Sequence, residues 1–117
     1  MVAIRDDGEG TFVAEVDGEV VGTVTFGPSA DVAGIGAVRH LEVDPDHRRR
    51  GIGTALLVAA EDALLAAGFE EAVTWVDQDD EGAQRFLAWH TWSTDGEIRE
   101  LDAGTRTESR FRRLLGF

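Results

Sequence analysis

The sequence predicts one α/β (α+β) domain over residues 1–117, with strands before, between and after two helices. Three observations carry this. Apolar residues alternate on both sides of Asp17-Gly18, the preferred composition of a two-residue hairpin turn. Between Gly51 and Ala67 apolar residues recur at helical spacing. With 117 residues, 43% of them hydrophobic, and neither internal repeat nor low-complexity linker, the chain has material for one core.

The elements follow in order. Residues 11–16 form a strand with Phe12, Ala14 and Val16 on one face, and residues 19–26 return with Val20, Val24 and Phe26 on one face. Gly27-Pro28-Ser29 ends that strand and residues 31–36 read as a loop. A third strand, 37–43, stops at Asp44-Pro45. The helix at 51–67 presents Ile52, Leu56, Ala59, Ala60, Ala63 and Ala67, and Gly68 terminates it. A short strand, 71–76, precedes a helix at 81–90 that Asp79 or Asp80 can cap, with Ala83, Phe86, Leu87 and His90 on one face. A second hairpin, 92–101 and 105–115, turns at Asp102-Ala103-Gly104.

Composition removes several function classes. The formal charge is −12, from 23 acidic and 11 basic residues, which argues against sequence-independent nucleic-acid binding. No apolar run spans a membrane and no leader-like segment opens the chain, so a cytoplasmic protein is expected. There is no Cys, Lys or Tyr. That excludes thiol and Schiff-base nucleophiles and a phenolic proton donor. The three His and scattered acids lack metal-ligand spacing, so no metal is expected. An all-Arg, strongly acidic chain fits a halophilic protein, whose self-repulsion molar salt would screen; the alternative is an ordinary acidic protein from a GC-rich genome.

The chemistry concentrates in Leu41-Glu42-Val43-Asp44-Pro45-Asp46-His47-Arg48-Arg49-Arg50-Gly51-Ile52-Gly53-Thr54. This runs from strand through turn to helix. Gly51 and Gly53 leave backbone N–H groups uncovered at a helix N-terminus, and three arginines add charge, which together make a phosphate site. A Walker A loop needs a Lys, and a dinucleotide fingerprint needs a third Gly where Leu56 stands.

The segment resembles the acyl-coenzyme A loop of the GNAT acetyltransferase superfamily, Arg/Gln-x-x-Gly-x-Gly/Ala after a strand ending in Val-x-Pro. Here Val43-Asp44-Pro45 precedes Arg48-Arg49-Arg50-Gly51-Ile52-Gly53. A second family signature, Asn-x-x-Ala-x-x-Phe-Tyr, is similar to Asp80-Glu81-Gly82-Ala83-Gln84-Arg85-Phe86-Leu87, with Asp80 for Asn and Leu87 for the Tyr that protonates the departing thiolate in many members. The resemblance covers nearly the whole chain and implies a GNAT-like, mixed, mostly antiparallel central sheet with helices packed on it. It also implies that the family's first strand and helix pair are missing, which would bare apolar surface and favour a homodimer.

By resemblance the cosubstrate is acetyl-CoA. Leu41 and Val43 would pair with the pantetheine arm, Arg48, Arg49, Arg50, Gly51, Ile52, Gly53 and Thr54 would hold the pyrophosphate, and Asp80 and Phe86 would line the groove. The implied activity is an N-acetyltransferase moving an acetyl group to an amine of a small molecule or protein, and the alternative is a weakly catalytic acyl-coenzyme A binding module. Glu42 and His40, two apart on one strand, share a face and are the candidate bases; the alternatives are a structural carboxylate and a histidine packed under a helix. His90 reads as a core histidine, His47 as solvated, and Trp75, Trp89 and Trp92 as core or interface. Arg110, Arg112 and Arg113 read as a solvated face or one that pairs with a partner's acids. The acidic surface points to a cationic amine acceptor.

Overall fold

The computed structural model describes residues 2–116. The elements are β1 (Val2–Gly8), β2 (Thr11–Val16), β3 (Glu19–Pro28), β4 (Gly36–Val43), a 3₁₀ turn (Pro45–His47), α1 (Ile52–Ala66), β5 (Glu71–Asp77), α2 (Glu81–Trp89), β6 (Ser93–Leu101) and β7 (Arg106–Leu114). The strands make one seven-stranded sheet ordered β1-β2-β3-β4-β5-β7-β6. All neighbours are antiparallel except β4 and β5, which run parallel. This is the mixed, mostly antiparallel sheet that the sequence resemblance implies.

The expectation of a missing first strand is corrected. β1 pairs with β2 from Val2↔Val16 onward. Only Val2 and Ile4 pack toward the core, and the charged Arg5-Asp6-Asp7 that follows reads as loop when seen alone. The helix pair expected to be missing is indeed not found between β1 and β2; Glu9 and Gly10 make the whole connection. Gly10 sits at φ 77, and a Cβ there would lie 2.5 Å from the Phe26 carbonyl oxygen, so the turn admits only glycine.

Both helices pack on one face of the sheet. Ile52, Leu56, Leu57, Ala60 and Leu64 of α1 and Leu87 of α2 join Ala14, Val24, Val38, Ala72, Val76 and Phe111 in one core. The buried stripe of α1 is rotated from the expected one. Leu57, Glu61 and Leu64 are buried, whereas Ala59 and Ala63 are half-buried and Ala67 is exposed. The larger side chains win the core because each removes more apolar area from water. α1 lies close on the sheet: a Cβ on Gly36 would come within 2.8 Å of Leu64.

A bulge corrects β3. Ala14 pairs with Gly22 and Glu15 with Val20, leaving Val21 as the extra residue. Val21 therefore turns into the core, and Val20, expected inside, is 51% exposed.

The second sheet face carries no helix among the described residues. Alternation puts Arg5, Val13, Arg39, Val73, Trp75, Arg110 and Arg112 on it. Instead of the bare apolar surface expected, it bears ion pairs: Arg5 with Glu15, Arg99 with Glu108, Arg110 with Asp95 and Arg112 with Glu71. The guanidinium of Arg99 lies 4.4 Å from the Trp75 ring centroid. Val13 and Val73 on this face are buried, and each stands opposite an arginine on the neighbouring strand, Arg5 and Arg112. No helix among the described residues is long and apolar enough to cross a membrane.

Candidate active site

The site begins where β4 and β5 separate. They pair only at Gly36↔Ala72 and Ala37↔Val73. Just beyond, the Thr74 hydroxyl donates to the Val38 carbonyl at 2.7 Å, and further along the strands no longer pair. A wedge opens, and the edge of β4 facing β5 presents backbone groups with no strand beside them. A second bulge sharpens this edge. Thr23 pairs with Glu42 and Thr25 with Arg39, so His40 and Leu41 oppose one residue, and His40 sits at φ 52. Bulges re-aim backbone and side chains beside functional sites.

β4 ends in a tight cap. The Asp44 carboxylate accepts the Asp46 amide at 3.0 Å and starts the 3₁₀ turn. The chain then passes through Arg49 at φ 65 and Gly51 at φ 78. Gly51 is the N-cap of α1 and supplies no side-chain cap, and the first turn holds no acid. The first amides of α1 therefore point outward unsatisfied. Arg48, Arg49 and Arg50 are exposed around them, and none has an acidic partner among the described residues. Alternating left-handed residues, free amides and unpaired guanidinium groups form an anion cradle. His47, expected to be solvated, is half-buried, with its Nδ1 buried and without a partner.

α2 closes the wedge on the helix side. Asp80 caps it, accepting the Ala83 amide at 3.0 Å. Phe86 lies 3.5 Å from where a Cβ on Gly53 would sit, with Val43 at 3.7 Å, so these three residues meet at the groove floor. The His90 Nε2 is 3.0 Å from the Thr54 Oγ1, and the His90 ring packs at 4.8 Å from Phe86. His90 thus ties α2 to the first turn of α1. Leu87 is buried in the core. Trp92 is core, Trp75 is half-buried on the second face, and Trp89 is 84% exposed.

Leu41 and Val43 turn toward the core, Glu42 lies on the opposite side of β4, and His40, within the bulge, is exposed. Neither His40 nor Glu42 has a hydrogen-bonding or charged side-chain partner among the described residues. The structural alternatives, a satisfied carboxylate and a histidine under a helix, are not what the fold shows. The expected solvated or partner-bound role of Arg110, Arg112 and Arg113 is replaced by pairing within the chain, to Asp95, Glu71 and Glu61.

The cluster that sequence reasoning missed lies behind the groove. Glu61 of α1 accepts the Trp92 Nε1–H at 2.8 Å and the Arg113 Nη1–H at 2.5 Å. A lone Glu on the apolar stripe of α1 was the available signal.

Residues 2–90 match the model of the acetyltransferase (GNAT) family. The chain belongs to the GNAT acetyltransferase family. This GNAT chain is similar to a mycothiol acetyltransferase of Kineococcus radiotolerans, 36% identical over 90 residues, which are 77% of this chain and 29% of that protein. It is similar also to an uncharacterized N-acetyltransferase of Methanocaldococcus jannaschii, 33% identical over 87 residues, 71% of this chain and 38% of the other. The chain thus spans less than two fifths of either relative.

Among solved structures, Ard1 from Thermoplasma volcanium superposes with a TM-score of 0.81 at 20% identity, over 92% of this chain and 71% of that one. A PaiA N-acetyltransferase from Thermoplasma acidophilum, solved in complex with coenzyme A, gives 0.72 at 16% identity, over 89% and 59%. At such identities these two establish the shared GNAT fold.

Proposed function

We infer that this GNAT domain binds acetyl-CoA in the β4–β5 wedge and transfers the acetyl group to an amine that arrives from the second sheet face. The observation that carries the reading is the convergence of the wedge on the uncapped N-terminus of α1 beside three unpaired arginines. The donor set fits the group. Free amides and guanidinium groups suit a pyrophosphate, and the unpaired edge of β4 suits an extended arm rich in amides.

Arg48 to Thr54 hold the phosphates, with Gly53 keeping the helix start open against Phe86. Leu41 and Val43 offer their backbone to the arm, and Asp80 and Phe86 flank it. A β4 edge N–H polarises the thioester carbonyl. The chemistry is acyl transfer: the amine nitrogen bonds the acetyl carbon, the carbon–sulfur bond breaks, and the electron pair leaves on sulfur. Glu42 or His40, directly or through water, takes the proton released by the amine. The helices fill the first face, so the acceptor approaches from the face that exposes Glu42, with the exposed His40 of the bulge beside it. Holding both reactants in one groove supplies much of the rate.

Leu87 stands where many relatives place a proton-donating Tyr, so the leaving thiolate departs without that help. A thiol with a pKa near ~8.5 is a tolerable leaving anion, and a positioned acid contributes roughly 10²–10⁴-fold, so transfer is slowed and not forbidden. This is also what keeps the second reading, an acyl-coenzyme A binding module with little turnover.

The homodimer is retained as a proposal on narrower ground. Val58, Leu65 and Trp89 are exposed and line one groove of about 440 Å³ between α1 and α2. Light scattering that gives a single-chain mass of 12.7 kDa would count against it.

Calorimetry with acetyl-CoA and a thiol-release assay across an amine panel test the reading. Binding that is lost in Gly53→Phe, with thiol release in the parent, supports transfer. Tight binding without release from any amine supports the binding module. Absence of binding overturns both.

A further inference from the structure

One histidine reaches the anion cradle from the neighbouring helix. The first hydrogen bond within α1 runs from the Ala55 amide to the Gly51 carbonyl at 3.0 Å, so the amides of Ile52, Gly53 and Thr54 have no acceptor within the helix. Thr54 also carries a hydroxyl at this end of α1, and that hydroxyl meets the His90 Nε2 at 3.0 Å. His90 is the C-cap of α2, where its amide donates to the carbonyls of Phe86 and Leu87. Its ring packs 4.8 Å from the Phe86 ring, and Phe86 in turn stands 3.5 Å from the Cβ position of Gly53. The imidazole is thus held from two sides, one hydroxyl away from the unsatisfied amides.

The direction of the Thr54–His90 bond depends on where the imidazole carries its proton. A hydroxyl has one hydrogen to give. With Nε2 bare, the Thr54 O–H donates to the imidazole, and only oxygen lone pairs are left for the cradle. With a proton on Nε2 the imidazole donates, and the Thr54 hydrogen is free for an anion. The imidazolium always holds that proton and adds a positive charge.

The charges around the ring oppose one another. The C-terminus of α2 favours the imidazolium, whereas the N-terminus of α1 and Arg48, Arg49 and Arg50 disfavour it. Glu61 and Asp62 of α1 and Arg113 of β7 line the groove that His90 also lines. Glu61 pairs with Arg113, and Asp62 is exposed. On α2 itself Glu81 and Arg85 pair with each other. All of these are present whether or not the cradle is filled. A pyrophosphate in the cradle neutralises the three arginines and shifts the balance toward the imidazolium.

We propose that His90 is a positioning residue that turns the Thr54 hydroxyl toward the coenzyme's phosphates, and that the coenzyme binds together with a proton on His90. This rests on the acetyl-CoA reading and adds a linkage to it. If the anion favours the imidazolium, a protein carrying the imidazolium binds the anion more tightly by the same factor. The bound state holds the proton to higher pH than the free state. The added affinity is therefore complete on the acid side of the ordinary histidine range, ~6.5, and is lost as pH rises through the bound value.

The probe is dephospho-coenzyme A, whose pyrophosphate stays ionised across the histidine range, so the ligand itself does not titrate there. Calorimetry in two buffers of different ionisation enthalpy counts the protons taken up. The parent should take up about 0.3–0.5 proton per ligand within the histidine range, and its dissociation constant should rise about 3–10-fold between about pH 5.5 and about pH 8. His90→Gln keeps a donor of similar reach that does not titrate, so it binds with a flat pH profile and no proton uptake. Thr54→Val weakens binding about 10-fold in acid, and Thr54→Ser restores it. Circular dichroism melts confirm that each variant is folded.

Absence of proton uptake in the parent overturns the proposal without recourse to any variant. A pH slope that survives in His90→Gln overturns it as well, and places the proton on another group such as His47 beside Arg48. Both results leave coenzyme binding standing. Failure of acetyl-CoA and dephospho-coenzyme A to bind at any pH overturns this proposal and the acetyl-CoA reading together.

Discussion

Replacing Glu61 by alanine should be among the most damaging single changes in this chain. Glu61 is 8% exposed, and its carboxylate holds two donors from distant segments, the indole N–H of Trp92 and the guanidinium of Arg113. Breaking a buried ion pair from one side costs about 3–5 kcal/mol, and an orphaned buried N–H about 1–3 kcal/mol. Arg113 keeps a side-chain exposure of 20% and a further interaction, so its charge is only partly stranded. The net loss is therefore ~2–4 kcal/mol, against a total stability of ~6–18 kcal/mol for a chain of this length. With an unfolding entropy of roughly 0.25 kcal/mol per kelvin for the chain, the melting midpoint falls by ~8–16 °C. Glu61→Gln still accepts from Trp92 and loses only the charge, for about 1–2 kcal/mol. Thermal and urea melts followed by circular dichroism give the values. A cycle with Trp92→Phe should show a coupling of about 1–2 kcal/mol, since the two groups touch. If Glu61→Ala melts within 2 °C of the parent, Glu61 is not the tie between α1, β7 and the chain leaving α2.

Three further outcomes are expected. Thr91 is a β-branched residue at φ 67, so Thr91→Gly should relieve ~1–2 kcal/mol of backbone strain less ~0.5–1 kcal/mol of added chain entropy, raising the melting midpoint by a few degrees; a lower midpoint would show that the Thr91 hydroxyl bond to the His90 carbonyl outweighs the strain. Burial pushes the Asp95 carboxyl up, but the Glu97 amide and Arg110 outweigh burial and hold it below its usual value. A carboxylate held down in the fold contributes stability above its unfolded-chain value, ~3.9, and loses it as pH falls through the lower folded value, so the parent should lose more stability below pH ~4 than Asp95→Asn does; parallel stability–pH curves would refute this. The −12 charge predicts a higher melting midpoint in molar chloride than in dilute buffer, and equal midpoints would remove the halophilic reading.

The loop proposed to hold the coenzyme and most elements were legible in the residues alone. Their signals are local: alternation, helical spacing, a turn dipeptide, a proline stop, and glycines ahead of a helix. Each acts within a few residues, so each survives without knowledge of the partner strand. The strand-to-helix segment from Leu41 to Thr54 was legible for the same reason.

What the tertiary structure decided depends on register and distance along the chain. One bulged residue exchanged Val20 for Val21 in the core, because a shift of one residue turns every side chain to the other face. The wedge exists because β4 and β5 pair over two residues and then part, and no local pattern encodes where two strands separate. The pairing of Glu61 with Trp92 and Arg113 joins groups 31 and 52 residues apart. The sequence by itself determined that glycines and three arginines would meet the start of α1. Only the folded sheet decided which arginines are neutralised by neighbours and which, like Arg48, Arg49 and Arg50, stay unpaired, because neutralisation is a property of contact and not of composition.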